Sequence, residues 1–221
     1  MEGIRLTSPA SRSLTAPRIN LDLFPSEEVV SIGWRLQNSL GSLLAHARTF
    51  EVALALFDYS NAQLASIKDE NEPSPPFKEW RSLAGRDGAL SLFHFGNTIE
   101  VIRKVAKNSP TLSAHIDGSA LCEVQTLVDQ TFPGWKGARH AVAHFGEFFS
   151  DPAAADKHSA QITPYMRVAY YNRLEGRRFE YTYRREICGY ELSKETSEKI
   201  LTITIQFYPL FANLSVDPSR A

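Results

Sequence analysis

Three polar side chains fall within six residues in the middle of the chain. They are Arg139, His140 and His144, in the run Arg-His-Ala-Val-Ala-His. An imidazole has an unperturbed pKa of about 6.5, so it can accept or donate a proton near neutral pH. A guanidinium offers a planar set of donors that suits phosphate oxygens. The run therefore predicts a site that transfers a proton beside a bound anion.

Small residues surround these polar groups. Ala138, Ala141 and Ala143 leave room for another helix to approach closely. Such an approach would remove water from the arginine and the histidines, and burying them without partners would cost free energy. We therefore expect the polar groups to face one another, a cleft or another subunit.

The order Arg139, a polar residue, three further residues and His144 resembles the Arg-x4–6-His motif of the HEPN superfamily, where Arg is usually followed by Asn, Asp or His. The resemblance covers about residues 26 to 150, with the motif at the start of the last main helix of a bundle. It implies a homodimeric, metal-independent endoribonuclease without a cofactor, of the toxin or defence kind, with RNA and an antitoxin protein as partners. In this interpretation His144 is the general base or acid, Arg139 binds the phosphate, and His140 orients or handles a second proton.

Helix geometry gives these residues two different arrangements. Arg139 and His144 project roughly 140° apart, so either the long arginine curls back or two motifs pair across the two-fold dimer that the resemblance implies. His140 and His144 share one face, and Glu147 extends it into an alternative metal-binding face. A further ligand would have to come from neighbouring helices, and the candidates are His46, His94 and Glu100.

A non-catalytic RNA-binding or protein-interaction module on the same fold is the other alternative. In that case Arg139 pairs with a carboxylate such as Glu147 or Asp129, and His144 only packs between helices. His94 lies among aromatic residues on an apolar stretch, so we expect it in the core.

The charge balance restricts how RNA could be bound. The formal net charge is -1, whereas proteins that bind long stretches of nucleic acid backbone usually carry a basic excess. One basic cluster interleaved with tyrosines and phenylalanine is the candidate for RNA contacts: Arg177, Arg178, Arg184 and Arg185. The alternative interpretation is an ordinary hairpin with a charged outer face.

The hydrophobic pattern predicts a mainly α protein, a four-helix up-and-down bundle with a C-terminal β-hairpin and a terminal helix. We divide the chain into a flexible arm (1–24), the bundle (25–150) and an extension that packs on the bundle or on a partner subunit (151–221). Helices are expected at about 26–67, 77–107, 118–131 and 135–149. The first could kink near Gly41 or Thr49, and the second could break at Gly85 to Gly88.

The extension has its own pattern. Residues 151 to 164 are expected to form a polar loop. Alternation of polar and aromatic residues predicts a strand at 178–183, with a partner at 187–192 across a turn near 184–186. A final helix is expected at about 194–211, although its Ile-Thr-Ile run also suits a strand.

The cysteines and the absence of long apolar runs indicate the compartment. Cys122 and Cys188 form no CxxC pair, and Cys122 is expected to lie on an apolar helix stripe. The first residues lack the apolar run of a signal peptide, and no uninterrupted run reaches the ~20 residues of a membrane span. We therefore expect a cytoplasmic protein.

Overall fold

The computed structural model describes residues 13–67, 76–143 and 159–216. It is mainly helical, with a small antiparallel strand region near the C-terminus, as the sequence predicts. Two long helices form its centre: α1 (Ser26–Ser66) and α2 (Phe77–Asn108). Their apolar residues recur at three- and four-residue steps and are buried against each other, with Leu40, Phe50 and Ile99 fully enclosed.

Helices α1 and α2 run antiparallel. Tyr59 near the end of α1 stacks on Trp80 near the start of α2, with 6.3 Å between ring centroids. At the opposite end, Glu28 accepts a hydrogen bond from Thr111, which lies just beyond α2. The irregular part of α1 is a π-helical segment at Val29–Trp34. From Arg35 to Ser66 the α-helix is continuous, so the irregularity is not at Gly41 or Thr49.

The break predicted at Gly85 to Gly88 is absent, because α2 is continuous there. These two glycines instead allow the sheet to approach the helix. A Cβ at Gly88 would lie 2.6 Å from the Tyr190 hydroxyl oxygen, and one at Gly85 would lie 2.8 Å from the Phe179 ring. Glycine is a poor helix former, but here the tertiary packing outweighs that preference.

Four shorter helices complete the described helical part: α3 (Pro110–Ser113), α4 (Gly118–Thr131), α5 (Trp135–Ala143) and α6 (Lys194–Phe207). The 3-10 turn Tyr208–Leu214 follows α6. Helix α4 has the predicted bounds, and the Asp117 side chain caps its first amides. Helix α6 packs on α1 and α4, which confirms the terminal helix in spite of its β-branched run. The expected continuation of α5 over residues 144 to 149 lies outside the described part.

The strand region is larger than the one predicted hairpin. Five strands form a two-stranded sheet (β1–β2) and a three-stranded sheet in the order β3-β4-β5: β1 (Ala160–Thr163), β2 (Met166–Val168), β3 (Arg173–Glu175), β4 (Arg178–Tyr183) and β5 (Glu186–Glu191). The β4–β5 hairpin is the predicted one. Its two turn residues, Arg184 and Arg185, have positive φ of 51° and 67°, as a two-residue hairpin turn requires.

The sequence pattern does not predict the three short strands β1, β2 and β3. Strands β2 and β3 have three residues each, and most side chains of β1 to β3 are exposed, so no buried face creates a clear alternation. Strand β1 (Ala160–Thr163) lies where the sequence predicts a loop. Residues 151 to 158 of that predicted loop are not among the described residues.

The end of the expected flexible arm is held on the bundle. Gln37 accepts a hydrogen bond from the Ile19 amide at 2.6 Å and donates to the Pro17 carbonyl. Ile19 is buried and forms a bridge with Ser215. The part of the arm from Pro17 onward is therefore ordered by two long-range contacts, contrary to the prediction of a loose segment; residues 1 to 12 lie outside the description.

Helix α1 is long and apolar enough to cross a membrane, judged only by length and composition. Its most apolar 18-residue window has a mean hydropathy of 1.3, and 44% of that window is buried inside the protein. The central helix of a soluble protein meets the same criterion, so this is weak evidence for a membrane span. The cytoplasmic location stays a prediction.

Two glycines in helix interiors provide a test of this packing. Gly137→Ala on α5 should lower the free energy of unfolding by about 1–3 kcal/mol, because its Cβ would lie 2.5 Å from the Cβ of Tyr183. Gly41→Ala on α1 is the matched control. A Cβ at residue 41 would have no atom within 4 Å, so this substitution should raise the free energy of unfolding by roughly 0.5–1 kcal/mol through helix propensity. Urea denaturation measures both, and equal effects of the two substitutions would contradict the close approach.

Candidate functional site

Helix α5 presents Arg139 to solvent. Its buried side carries Ala138 and Ala141, which are 0% and 1% exposed, so these alanines do permit the close packing on α2 that the sequence predicts. Trp135 anchors the start of the helix over Gly96 of α2. Arg139 lies on the opposite, exposed side, and the packing does not remove it from water.

Asp129, which the sequence offers as a carboxylate partner of Arg139, binds the Trp135 indole instead. Its N–H donates to the Asp129 carboxylate at 2.8 Å, and the Gln125 side-chain amide donates to the same oxygen at 3.3 Å. Asp129 is therefore used to fix the turn into α5. Within the described part of the chain, Arg139 forms no ion pair with a carboxylate.

A series of ring contacts links Arg139 to two histidines from other helices. Its guanidinium carbon is 5.6 Å from the centroid of the Phe93 ring, in a cation–π contact. The Phe93 ring meets His94 edge to face at 5.2 Å, and His94 stacks on His46 of α1 with 5.3 Å between centroids. We call Arg139, Phe93, His94 and His46 the arginine–histidine face.

Both imidazoles of this face are held in the neutral form. Partial burial, together with a smaller effect of the nearby His94, lowers the pKa of His46 to about 4. Partial burial also lowers the pKa of His94, with a contribution from the positive charge of Arg139. A neutral imidazole beside a cation can accept a proton from a substrate whose anionic group is bound by that cation.

His94 does not lie in the core, so that prediction is wrong. The residue is exposed and reaches the surface because α2 turns its buried face, with Leu92, Phe95 and Ile99, toward α1 and the sheet. Neither His46 nor His94 belongs to a short motif. Only the antiparallel register of α1 and α2 brings residues 46 and 94 together, and the sequence carries no local signal of that register.

The other members of the predicted motif are described only in part. His140 is half-buried, and its ring lies 6.3 Å from the Tyr183 ring of β4. His144 and Glu147 lie outside the described residues. Within residues 13–67, 76–143 and 159–216, no group of three histidine, cysteine, aspartate or glutamate side chains could hold a metal ion. The metal face formed by His140, His144 and Glu147 therefore stays a prediction.

Glu100, another possible metal ligand, is occupied by lysines. Lys104 and Lys136 approach its two carboxylate oxygens at 2.6 and 2.9 Å. Hydrogen bonds from these lysines lower the pKa of Glu100 to about 2. The Lys136 pair links α5 to α2 directly beside the arginine–histidine face.

A cleft of about 320 Å³ lies between the start of α5 and the β4–β5 hairpin. Two cations, Lys136 and Arg184, line it together with two carboxylates, Asp129 and Glu186. The Arg184 guanidinium stacks over the Tyr183 ring at 5.2 Å. The mixed charge suits a polar ligand more than a simple anion.

The predicted RNA-binding arginines divide into two pairs. Arg177 donates to the Asp58 carboxylate and, at 2.6 Å, to the Leu192 carbonyl. Arg178 donates to Glu180 at 2.9 Å and lies 3.9 Å from Glu191. These two serve the fold. Arg184 and Arg185 occupy the exposed hairpin tip, where no ion pair with a described carboxylate engages them.

No protein-family model, curated protein sequence or solved structure matches the chain at a significant level. Membership of the HEPN superfamily consequently stays a prediction that rests on the motif and on the helical architecture.

The lowered pKa of His46 predicts a pH-dependent stability. Its imidazole titrates near pH ~6.5 when unfolded but at about 4 in the fold, so between these values only the unfolded state binds the proton. The contribution of His46 to the free energy of unfolding should therefore fall as the pH drops through this range and level off below it.

Urea denaturation at a series of pH values measures this fall. We expect His46→Gln to reduce it. The control is His115→Gln in the loop before α4, which should leave the pH dependence as it is in the wild type. An identical fall in the wild type and in His46→Gln would contradict the assignment.

Proposed function

We propose that the protein is a metal-independent endoribonuclease on a HEPN-like four-helix bundle, and that it works as a homodimer. The observation that carries the proposal is the arginine–histidine face, where an exposed arginine without a described carboxylate partner lies near the neutral imidazole of His94, which stacks on a second neutral imidazole, that of His46. Phosphate binding and proton acceptance are the two functions that cleavage of RNA without a metal requires.

The chemistry follows from these groups. A neutral imidazole accepts the proton of the ribose 2′-hydroxyl, and the oxygen attacks the adjacent phosphorus. Arg139 stabilises the negative charge that develops on the phosphoryl oxygens. The bond to the 5′-oxygen breaks, and a protonated imidazole donates its proton to that oxygen. The products are a 2′,3′-cyclic phosphate and a free 5′-hydroxyl.

The residue roles are those that the motif implies, with roles for His94 and His46 added. Arg139 binds the phosphate, and His140 and His144 handle protons as the motif implies. His94 is an additional candidate for the base, because its neutral ring lies beside the Arg139–Phe93 contact. His46 supports His94 by stacking on it and is a positioning residue.

RNA would contact the protein through few charges. With Arg177 and Arg178 paired to carboxylates, the exposed cations that remain from the motif and from the predicted basic cluster are Arg139, Arg184 and Arg185. A short single-stranded segment fits this small number of phosphate contacts better than a long duplex does, since each neutralised phosphate adds to affinity.

Cleavage of a fluorogenic single-stranded RNA in EDTA tests the proposal. Arg139→Ala should lower kcat/KM by about 10²–10³-fold, as loss of a charge-stabilising donor does. His144→Ala and His94→Gln should each lower it by roughly 10²–10⁴-fold if they transfer protons. The control is Arg86→Ala, an exposed arginine on α2 away from the face, which should cut at the wild-type rate.

The products and a modified substrate sharpen this experiment. A substrate with a 2′-deoxyribose at the cleaved position should resist cutting, and the wild-type product should carry a 2′,3′-cyclic phosphate. Undiminished cleavage by both Arg139→Ala and His144→Ala would overturn the proposal. Loss of activity in His144→Ala but not in His94→Gln would remove only the added role of His94.

A non-catalytic protein-interaction module is the second candidate, and the β1–β2 hairpin favours it. Its tip exposes three large apolar side chains, with Tyr165 at 99%, Met166 at 47% and Ile162 at 45% exposure. Exposed apolar residues that are contiguous often mark contact surfaces. On this candidate RNA is not cut, and the tip binds a second copy of the chain.

Substitutions at the tip test the second candidate. A double substitution, Ile162→Ser with Tyr165→Ser, should convert a dimer to a monomer in sedimentation velocity while the melting temperature is retained, because these side chains contribute little to the core. Ile205→Ser on α6, which is 49% exposed, is the matched control and should leave the dimer intact. A dimer that survives the double substitution excludes the tip as the interface.

A further inference from the structure

A pocket of about 400 Å³ lies at the C-terminal end of α2, where α3 and the start of α4 close around it. Arg103 and Lys107 of α2 supply two positive charges, and Ile116 and Leu121 form part of an apolar wall. No carboxylate is among the described residues that line the pocket. The surface therefore combines a cationic side with an apolar side.

Arg103 carries an unused donor. Its Nε is shielded from solvent and has no hydrogen-bond partner in the part of the chain that the structure describes. A buried donor without a partner is unfavourable, and more so in a charged group. By contrast, Arg177 and Arg178 on the sheet are paired with carboxylates. Because this Nε is shielded, the terminal NH2 groups of Arg103 are the donors that an anion in the pocket would reach, and no ion pair with a described carboxylate occupies them.

Lys107 lies on the same side of α2. Residues four apart on a helix are neighbours, so Arg103 and Lys107 can approach one anionic group together. The first amides of α4 contribute little, because Asp117 caps Ser119 and Ala120. These hydrogen bonds also hold the pKa of the Asp117 carboxyl below its usual range.

We propose that this pocket binds a phosphate monoester that carries a small apolar body. A phosphate monoester has a charge of about −1.5 to −2 near neutral pH and several acceptor oxygens, which matches one arginine and one lysine. Its apolar substituent would pack on Ile116 and Leu121. The pocket is separate from the arginine–histidine face, because Arg103 follows His94 by nine positions along α2, a rise of roughly 13 Å. The inference is independent of the proposed RNA cleavage.

Isothermal titration calorimetry with three probes tests the ligand class: phenyl phosphate, inorganic phosphate and benzoate. Phenyl phosphate should bind most tightly, because it alone satisfies both sides of the pocket. Inorganic phosphate and benzoate should each bind at least about tenfold more weakly, the difference expected when an apolar contact or part of the charge pairing is lost. Absence of binding by phenyl phosphate, or equal affinity for phenyl phosphate and inorganic phosphate, would overturn the proposal.

Variants assign the binding to this pocket. Arg103→Gln and Lys107→Gln should each weaken phenyl phosphate binding by about tenfold or more, the effect of one charge-assisted hydrogen bond. Arg86→Gln on the same helix removes an exposed arginine outside the pocket and should bind like the wild type. Wild-type affinity in both pocket variants would overturn the assignment.

The two cysteines supply a readout that needs no variant. Cys122 lines the pocket and is exposed, contrary to the expected buried stripe, whereas Cys188 is buried. Burial also raises the pKa of the Cys188 thiol, which makes it less reactive. Phenyl phosphate should slow alkylation of Cys122 by iodoacetamide severalfold, while benzoate at the same concentration should protect it less. Alkylation of Cys122 at an unchanged rate with saturating phenyl phosphate would contradict occupancy of this pocket.

Discussion

The distance between the helices and the β4–β5 sheet depends on glycines. Gly85 and Gly88 of α2 accept Phe179 and Tyr190, and Gly137 of α5 accepts Tyr183, each so closely that a Cβ would overlap the aromatic side chain. Tyr190 also donates a hydrogen bond to the Gly85 carbonyl. Because Phe179 and Tyr190 are buried and Tyr183 is partly buried through this contact, the missing side chains are what allow the sheet to become part of the core. The C-terminal region is therefore integrated with the bundle through β4 and β5.

The same close packing determines where the candidate site lies. Trp135 sits on Gly96, which brings α5 against α2 and places Arg139 beside Phe93. The antiparallel register of α1 and α2 adds His46 under His94. Each residue of the arginine–histidine face is thus positioned by a contact between helices and not by a spacing along one helix. A change in either helix pair would separate the cation from the imidazoles.

Local patterns predict the elements but not how they meet. The bounds of α4, the β4–β5 hairpin and the terminal helix follow from caps, alternation and periodicity. Gly85 and Gly88 suggest a possible helix break from the sequence, because helix propensity takes no account of the sheet that packs on them. Arg139 was found because it belongs to a short motif. The sequence offers His46 and His94 only as possible metal ligands and does not place them together near Arg139, because they are 48 positions apart and only tertiary structure joins them.

Pairing of charges separates the arginines that serve the fold from those open to a ligand. On the sheet, Arg173, Arg177 and Arg178 are matched by neighbouring carboxylates, so these three arginines have little excess charge to offer a phosphate backbone, unlike Arg184 and Arg185 at the hairpin tip. This agrees with the overall formal charge of -1. Arg139 and Arg103 have no such carboxylates among the described residues, and each lies beside apolar or aromatic side chains. A guanidinium in that setting interacts more strongly with an anion than one fully surrounded by water, because nearby apolar groups reduce dielectric screening. Sites for anions in this protein are therefore better sought at these two isolated arginines than at the arginine-rich sheet.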